Sequence, residues 1–336
     1  TLAGTSGILN LSEADHSFLG EDGGDYADMV STAGDVDGDG LADLLFGAYF
    51  ADGSGSDAGK AYLFMSSNLG STSSHSLSDA DYAFGGEAEM DYAASYVSDC
   101  GDVDGDGLDD LLVGARANDE MGSNAGKAYV ILGVSLGVTD SMALSDADHT
   151  LLGENADDYA GRSLSGAGDV DGDGLDDLVV GVPENDDVAD KSGKACVVLG
   201  PSLTAATALS LADADYTFLG ENADDVAGWS VDGDMDVDSD GLSDLLVSAH
   251  QNSETGEQAG KNYLVLGSSL GASATLSLSD ADHAFTGASA GDFTGWSVGS
   301  AGDVNGDGRD DLLFGAYTSS DAGENAGKVH LLFSAL

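Results

Sequence analysis

The stretch Asp35-Val-Asp37-Gly-Asp39-Gly-Leu-Ala-Asp43 decides the fold of this chain, because it returns four more times at a fixed interval. The other copies begin at Asp102, Asp169, Asp236 and Asp303, so that successive copies start 67 residues apart. A repeat of this period is typical of one continuous architecture in which each unit packs against its neighbours. We therefore predict a single domain over residues 1–336, built from five units of about 67 residues.

Four copies place Asp at positions 1, 3, 5 and 9 around one or two glycines that permit a tight turn. The fifth copy has Asn305 at position 3. Converging oxygen atoms suit a hard cation such as Ca²⁺, whose ligands lie at about 2.3–2.6 Å. An Asx-turn hairpin without metal is the alternative, but clustered carboxylates repel one another when no cation is present. The pattern predicts about five Ca²⁺ ions per chain.

The charge of the chain limits its partners. Nine Lys and Arg residues against 62 Asp and Glu residues give a formal net charge of −53, which disfavours binding to nucleic acid. No apolar stretch reaches the roughly 20 residues that span a bilayer, so we predict no membrane insertion. Cys100 and Cys196 occupy different positions of the repeat, and we expect free, buried thiols. Calcium loops of this kind favour an extracellular setting.

Four short apolar segments recur in each unit. Examples are Asp215-Tyr-Thr-Phe-Leu-Gly220, Gly228-Trp-Ser-Val231, Asp110-Leu-Leu-Val-Gly-Ala115 and Gly126-Lys-Ala-Tyr-Val-Ile-Leu132. Segments of this length, separated by Gly, Asn and Asp, are typical of β-strands joined by tight turns. Four antiparallel strands repeated at a fixed period predict an all-β fold, a β-propeller with one blade per unit. A β-solenoid is the alternative.

The spacing also suggests how the ring closes. The first-strand copies begin at Asp15, Asp81, Asp148, Asp215 and Asp282, and the count from the last copy through the chain end back to the first is 69. We predict a five-bladed propeller of four-stranded antiparallel blades. Residues 10–20, the N-terminal strand, would pair with the C-terminal blade of residues 294–334 and leave no unpaired edge. A five-unit fragment of a longer ring gives similar arithmetic and stays open.

The acidic motif, the apolar strand that ends in Gly-Ala or Gly-Val-Pro, and a later Ala-Gly-Lys together resemble the FG-GAP repeat of the integrin α-subunit propeller. Matching pieces include Gly161-Arg-Ser-Leu, Gly181-Val-Pro183 and Gly193-Lys194. Only one unit keeps Pro after Gly-x, Ala or Thr stands in place of the Phe, and integrin propellers have seven blades. The resemblance implies a calcium-stabilised propeller used for extracellular recognition.

The resemblance also implies a ligand set for each calcium ion. The side chains are Asp35, Asp37, Asp39, Asp43; Asp102, Asp104, Asp106, Asp110; Asp169, Asp171, Asp173, Asp177; Asp236, Asp238, Asp240, Asp244; and Asp303, Asn305, Asp307, Asp311. The position-7 carbonyls would add Leu41, Leu108, Leu175, Leu242 and Arg309. Position 12 is apolar in every copy, so these loops are not EF-hands.

Function is predicted at the opposite end of the strands. Alternate connections of an antiparallel blade emerge on opposite sides, and the side away from the acidic loops has the least repetitive column of residues: Tyr49, Arg116, Pro183, His250 and Tyr317. Aromatic, Arg and His side chains suit a recognition surface for a protein or glycan ligand; loop drift is the alternative explanation. Trp229 and Trp296 are expected in the core.

We predict a calcium-binding recognition or adhesion module, secreted or on a cell surface, monomeric or part of a larger surface protein. The calcium would be structural and the protein not an enzyme, because the same acidic set recurs in every unit whereas a reaction centre needs distinct groups in one place. The alternatives are a structural spacer in a larger surface protein, and a propeller associated with glycoside or lipid hydrolysis.

Overall fold

The computed structural model describes residues 10–137, 140–271 and 273–334. These residues form an all-β fold, with one short α-helix, α1 (Gly200–Ala205), and single 3₁₀ turns in the connections. The 3₁₀ turns are Leu11–Glu13, Ser66–Asn68, Leu77–Asp79, Gly133–Ser135, Leu144–Asp146, Leu211–Asp213, Gly267–Ser269 and Leu278–Asp280. The all-β prediction is confirmed.

The strands are short and follow the repeat. In the first half of the described chain they are β1 (Ser17–Leu19), β2 (Ala27–Gly34), β3 (Asp43–Ala48), β4 (Lys60–Phe64), β5 (Ser74–Ser76), β6 (Tyr82–Gly85), β7 (Ala93–Asp99), β8 (Leu111–Ala115), β9 (Lys127–Ile131), β10 (Ser141–Ala143), β11 (His149–Leu152) and β12 (Ser163–Gly168). In the second half they are β13 (Asp177–Val182), β14 (Lys194–Val198), β15 (Ala208–Ser210), β16 (Tyr216–Leu219), β17 (Val231–Met235), β18 (Asp244–Ala249), β19 (Lys261–Val265), β20 (Thr275–Ser277), β21 (His283–Thr286), β22 (Thr294–Gly302), β23 (Asp311–Ala316) and β24 (Lys328–Leu332).

Five repeat sheets contain most of these strands, and we number them I to V along the chain. Sheets I to IV each have four antiparallel strands, in the orders β2-β3-β4-β6, β7-β8-β9-β11, β12-β13-β14-β16 and β17-β18-β19-β21. Sheet V has three strands, β22-β23-β24. The outermost strand of sheets I to IV comes from the following sequence repeat. The arrangement is consistent with a propeller.

Three-residue parallel strands extend the outer edges, and the sequence pattern did not predict them. β10 pairs with β6, β15 with β11, and β20 with β16, all in parallel. Each of these strands leads directly into a 3₁₀ turn. They therefore tie the outer strand of one sheet to the connection between the third and outermost strands of the next sheet.

The hydrophobic core lies between successive sheets. The cluster between sheets I and II includes Leu45, Val97 and Val113, and the cluster between sheets IV and V includes Leu246 and Phe314. The inner strands β2, β7, β12, β17 and β22 contact one another in this order. Face-to-face packing explains why the second strand of each sheet is apolar along most of its length, since both of its faces are covered.

Closure of the ring through β1 is not found among the described residues. β1 pairs in parallel with β5, and Phe18 packs against Phe46 and Phe64 of sheet I. β24 pairs only with β23, and its residues Val329 and Leu331 are 69% and 44% exposed. The spacing could not predict the partner of the N-terminal strand, because a period does not encode the rotation between sheets. That rotation determines whether an arc of equal units closes.

Candidate functional site

Each acidic loop joins an inner strand to the second strand of its sheet, so the loops share one side of the arc. In four loops, carboxylate oxygens of three Asp residues lie within 4.8 Å of one another. These groups are Asp35, Asp37, Asp39; Asp102, Asp104, Asp110; Asp169, Asp171, Asp177; and Asp236, Asp238, Asp244. Three hard oxygen donors at this separation fit a cation of the size of Ca²⁺.

The second loop illustrates how the turn forms. Gly105 and Gly107 adopt positive φ angles of 78° and 92°, which a residue without a Cβ accepts readily. Their backbone N–H groups donate to the two oxygens of Asp102 at 2.7 and 2.9 Å. The position-1 carboxylate therefore organises the turn as an Asx-type loop. The hydrogen bonds expected for a metal-free Asx turn thus occur in the same loop as the three converging carboxylates.

The position-9 Asp anchors each loop to its sheet. The Asp110 side chain is buried and accepts hydrogen bonds from the backbone N–H groups of Val103 at 3.0 Å and Gly133 at 2.8 Å. Burial raises the pKa of the Asp110 carboxyl to about 7 in spite of these bonds. Asp177 and Asp244 are held in the same way. A nearby cation would offset the cost of ionising these buried groups.

The predicted ligands do not all come together. In loops two to four the carboxylates of Asp106, Asp173 and Asp240 stand outside the groups of three, and in the first loop Asp43 does. In the fifth loop the described residues form no group of three carboxylates, and the Asn305 amide donates to Asp311 at 3.4 Å. The position-7 carbonyls remain predicted ligands.

A second role for acidic residues was missed at position 8 of the loop. The carboxylate of Asp176 accepts the backbone N–H of Asp102, the first residue of the preceding loop, at 2.9 Å. Asp109 and Asp310 form the equivalent bonds with Asp35 and Asp236 at 2.6 and 3.0 Å. The signal in the sequence is the Asp-Asp pair at positions 8 and 9 in three of the five copies. These bonds clamp neighbouring acidic loops together.

The lysine of the Gly-Lys pair links loops on the other side of the arc. Lys194 is buried and contacts Glu154 at 2.5 Å and Asp187 at 2.7 Å. Lys127 and Lys261 each bridge two glutamates in the same manner. These ion pairs give the lysines a structural role as counter-charges to the surrounding carboxylates. Cys100 and Cys196 are free and buried, as expected.

The predicted recognition column follows the second strand of every sheet, opposite the acidic loops. Tyr49 and Arg116 are half-buried and Tyr317 is 58% exposed, whereas Pro183 and His250 are buried. Burial and the charge of Arg162 lower the pKa of His250 to about 3. The imidazole is therefore neutral, and it packs against the rings of Trp229 and Trp296.

Aromatic side chains surround this column. For two of them, the predicted position in the core was wrong. Trp229 and Trp296 are not core residues: Trp229 is half-buried and Trp296 is 38% exposed. Their ring centroids lie 5.2 Å apart, and Tyr317 stacks on Trp296 at 4.5 Å. The guanidinium of Arg162, which the sequence did not single out, lies 4.2 Å from the ring centre of Trp229. The surface thus combines aromatic rings with positive charge.

Comparison with known proteins supports the repeat assignment. The FG-GAP repeat model matches residues 30–64, 100–131, 160–195 and 294–332. Integrin alpha-PS5 of Drosophila melanogaster is 31% identical over 173 residues, 50% of this chain. Integrin alpha-5 of Xenopus laevis is 29% identical over 171 residues, 49% of the chain, and integrin alpha pat-2 of Caenorhabditis briggsae is 27% identical over 254 residues, 70% of the chain.

The matched regions are a minor part of these relatives. They cover 16% of alpha-PS5, 15% of alpha-5 and 18% of alpha pat-2. Within the described residues, no helix has both the length and the apolar character needed to cross a bilayer.

Proposed function

Because this chain contains an FG-GAP, integrin α-like repeat domain, we propose that it is a calcium-binding recognition or adhesion module. Residues 1–336 form one domain in this proposal, and it acts outside the cell or on a cell surface, as a monomer or as part of a larger surface protein. The number of blades that completes the ring remains a prediction. The ligand, a protein or glycan, binds opposite the acidic loops.

The observation that supports calcium best is the repetition of one carboxylate arrangement. Groups of three Asp carboxylates within 4.8 Å recur in four loops. Carboxylates at this separation repel one another, so a divalent cation at their centre stabilises the folded loops. Bound calcium would screen this repulsion and hold each inner strand at its angle to the second strand. The groups recur in successive sheets, which suits structural rather than catalytic ions.

We expect calcium-free protein to bind four to five Ca²⁺ ions per chain and to melt at a markedly higher temperature once loaded. Ligand present at 100 times its dissociation constant adds about 2.7 kcal/mol per site. Calorimetric titration gives the stoichiometry, and thermal unfolding gives the stabilisation.

Paired variants sharpen this experiment. Asp104→Asn and Asp171→Asn should each remove one ion, whereas Asp146→Asn, at an exposed position outside the loops, should leave the stoichiometry unchanged. An absence of binding heat together with an unchanged melting temperature would favour metal-free Asx turns. A spacer would bind calcium but no ligand, and turnover of glycans or lipids would favour a hydrolase.

A further inference from the structure

The strand ends opposite the acidic loops enclose a pocket of about 280 Å³ near the centre of the arc. Sheets I to IV all contribute to its walls. The lining includes Tyr49, Ser95, Tyr96, Arg116, Arg162 and Trp229. The pocket therefore exists only where four repeats meet, and it differs in character from the repeated acidic loops.

Two of the three arginines of the chain, Arg116 and Arg162, meet in this pocket. In the described part of the chain neither guanidinium has an ion-pair or hydrogen-bond partner, whereas all six lysines are ion-paired. A chain with a net charge of −53 offers carboxylates in excess. Two half-buried cations that line one pocket without such a partner are therefore an unusual arrangement, and an external anion would compensate their charge.

Aromatic rings hold both guanidinium groups in place. Arg162 lies 4.2 Å from the ring centre of Trp229, and Arg116 lies 5.3 Å from that of Tyr92. Stacking occupies the flat face of a guanidinium and leaves the N–H donors at its edge free for a carboxylate. Burial and the charge of Arg116 lower the pKa of Arg162, so an anion between the two groups would relieve their repulsion.

Nearby acidic groups do not take this role. Burial raises the pKa of the Tyr49 and Tyr96 hydroxyls, and the charges of Asp28 and Asp232, respectively, raise it further. Asp232 is already engaged by Ser165 at 3.2 Å and by the backbone N–H of Ser300 at 2.7 Å. The tyrosine hydroxyls stay protonated at neutral pH and remain donors to an anionic ligand.

We propose that Arg116 and Arg162 together bind the carboxylate of an Asp or Glu side chain from a protein partner. This inference rests on the proposed recognition function and defines the chemistry of its ligand. Trp229, Tyr49 and Tyr96 pack against the bound side chain and its neighbours. Tyr, Trp and Arg are the residues that dominate the energetics of protein interfaces.

The charge distribution favours a peptide over an acidic glycan. The strongly negative chain repels a polyanion at long range. A peptide segment with one carboxylate beside a basic residue avoids this repulsion. Its cation is attracted to the acidic surroundings while its carboxylate enters the pocket. The pocket volume, just below the usual range for small-molecule sites, suits a single side chain.

The test compares two capped peptides, acetyl-Lys-Glu-Phe-amide and acetyl-Lys-Gln-Phe-amide, on the calcium-saturated protein. Binding is followed by tryptophan fluorescence and by NMR of the Arg Nε–H and Trp indole N–H groups. We expect the Glu peptide to bind at least tenfold more tightly, since charge-assisted bonds to carboxylate are about twice as strong as neutral ones. Arg116→Gln and Arg162→Gln should each abolish the preference.

Lys191→Gln is the matched control, because it removes one positive charge from an exposed ion pair outside the pocket. It should retain the preference for Glu, and all three variants should keep the calcium stoichiometry of the parent protein. Equal binding of both peptides with unperturbed arginine resonances would overturn the carboxylate site, while normal calcium binding would leave the proposed domain function standing. Tighter binding of glucuronate than of the Glu peptide would overturn the assignment to a protein partner.

Discussion

A single glycine shows how neighbouring repeats constrain one another. Gly101 precedes the second acidic loop with φ of 67°, and a Cβ atom there would overlap the carboxylate of Asp176 from the third loop. That carboxylate accepts the backbone N–H of Asp102. The small residue is needed both for the backbone angle and for the hydrogen bond that joins the two loops.

We expect Gly101→Ala to lower the free energy of unfolding by about 1–3 kcal/mol more than Gly137→Ala. Both positions have positive φ, but a Cβ at Gly137 has open space, with only the Tyr82 hydroxyl at 4.0 Å. The difference isolates the cost of displacing Asp176, in the range of an overpacked site. Urea unfolding at saturating calcium measures it, and equal losses in the two variants would show that the clamp contributes nothing.

The sequence predicted the loops at this scale but not every role of their residues. Positions 1, 3 and 9 converge in loops two to four, whereas position 5 does not. Position 8 was overlooked because its function lies between repeats, and a repeat pattern describes one unit at a time. Arg162 was overlooked for the same reason, because its proposed role depends on Arg116, which comes from another sheet.

At the scale of the strand, the Gly-Lys segment connects three parts of each unit. β14 begins with Lys194, whose amine reaches Glu154 after β11 and Asp187 in the loop before β14. The Lys194 side chain is only 3% exposed, whereas its counterpart Lys328 on β24 is 38% exposed and contacts Asp321 alone. One repeated residue thus has a buried and an exposed version in the same chain.

We expect Lys194→Met to lower the free energy of unfolding by about 1–3 kcal/mol, because it leaves Glu154, whose side chain is 18% exposed, without its buried partner. Lys328→Met should change stability little, since an exposed ion pair contributes little. Both values come from denaturant unfolding under identical conditions. A loss at Lys328 as large as the loss at Lys194 would contradict the assigned difference in burial.

The four main strands of the unit were predictable because each contains a recognisable apolar pattern bounded by turn residues. The parallel strands β5, β10, β15 and β20 were not. A strand of three residues has no measurable periodicity, and its partner lies 57 or 58 residues earlier in the chain. The sequence analysis addressed the position of the outermost strand only through the predicted closure, in which the N-terminal strand pairs with the C-terminal blade.

Over the described residues, the molecule is an arc of five sheets whose last strand, β24, has no partner on its outer side. β24 has one hydrogen-bonded neighbour, whereas β9 and β14 have two. Several of its side chains are exposed, among them Val329 and Leu331. Period and length alone could not reveal this, because closed and open arcs share the same repeat.

We expect the backbone amides of β24 to exchange with solvent much faster than those of β9 and β14, because local opening needs the loss of only one strand contact. Hydrogen exchange of the calcium-saturated protein, resolved by peptide, provides the comparison. Protection of β24 equal to that of β14 would contradict the open edge and would support pairing with the N-terminal strand.

The outermost strand of sheets I to IV comes from the next sequence repeat, so the unit of duplication and the unit of folding are out of phase. Gain or loss of 67 residues anywhere along the chain restores every strand pairing, wherever the cut falls. Gain or loss of any other length separates an inner strand from its outer partner. Gene rearrangements that respect the period therefore keep the strand order of every sheet, which gives such arrays a route to change their length during evolution.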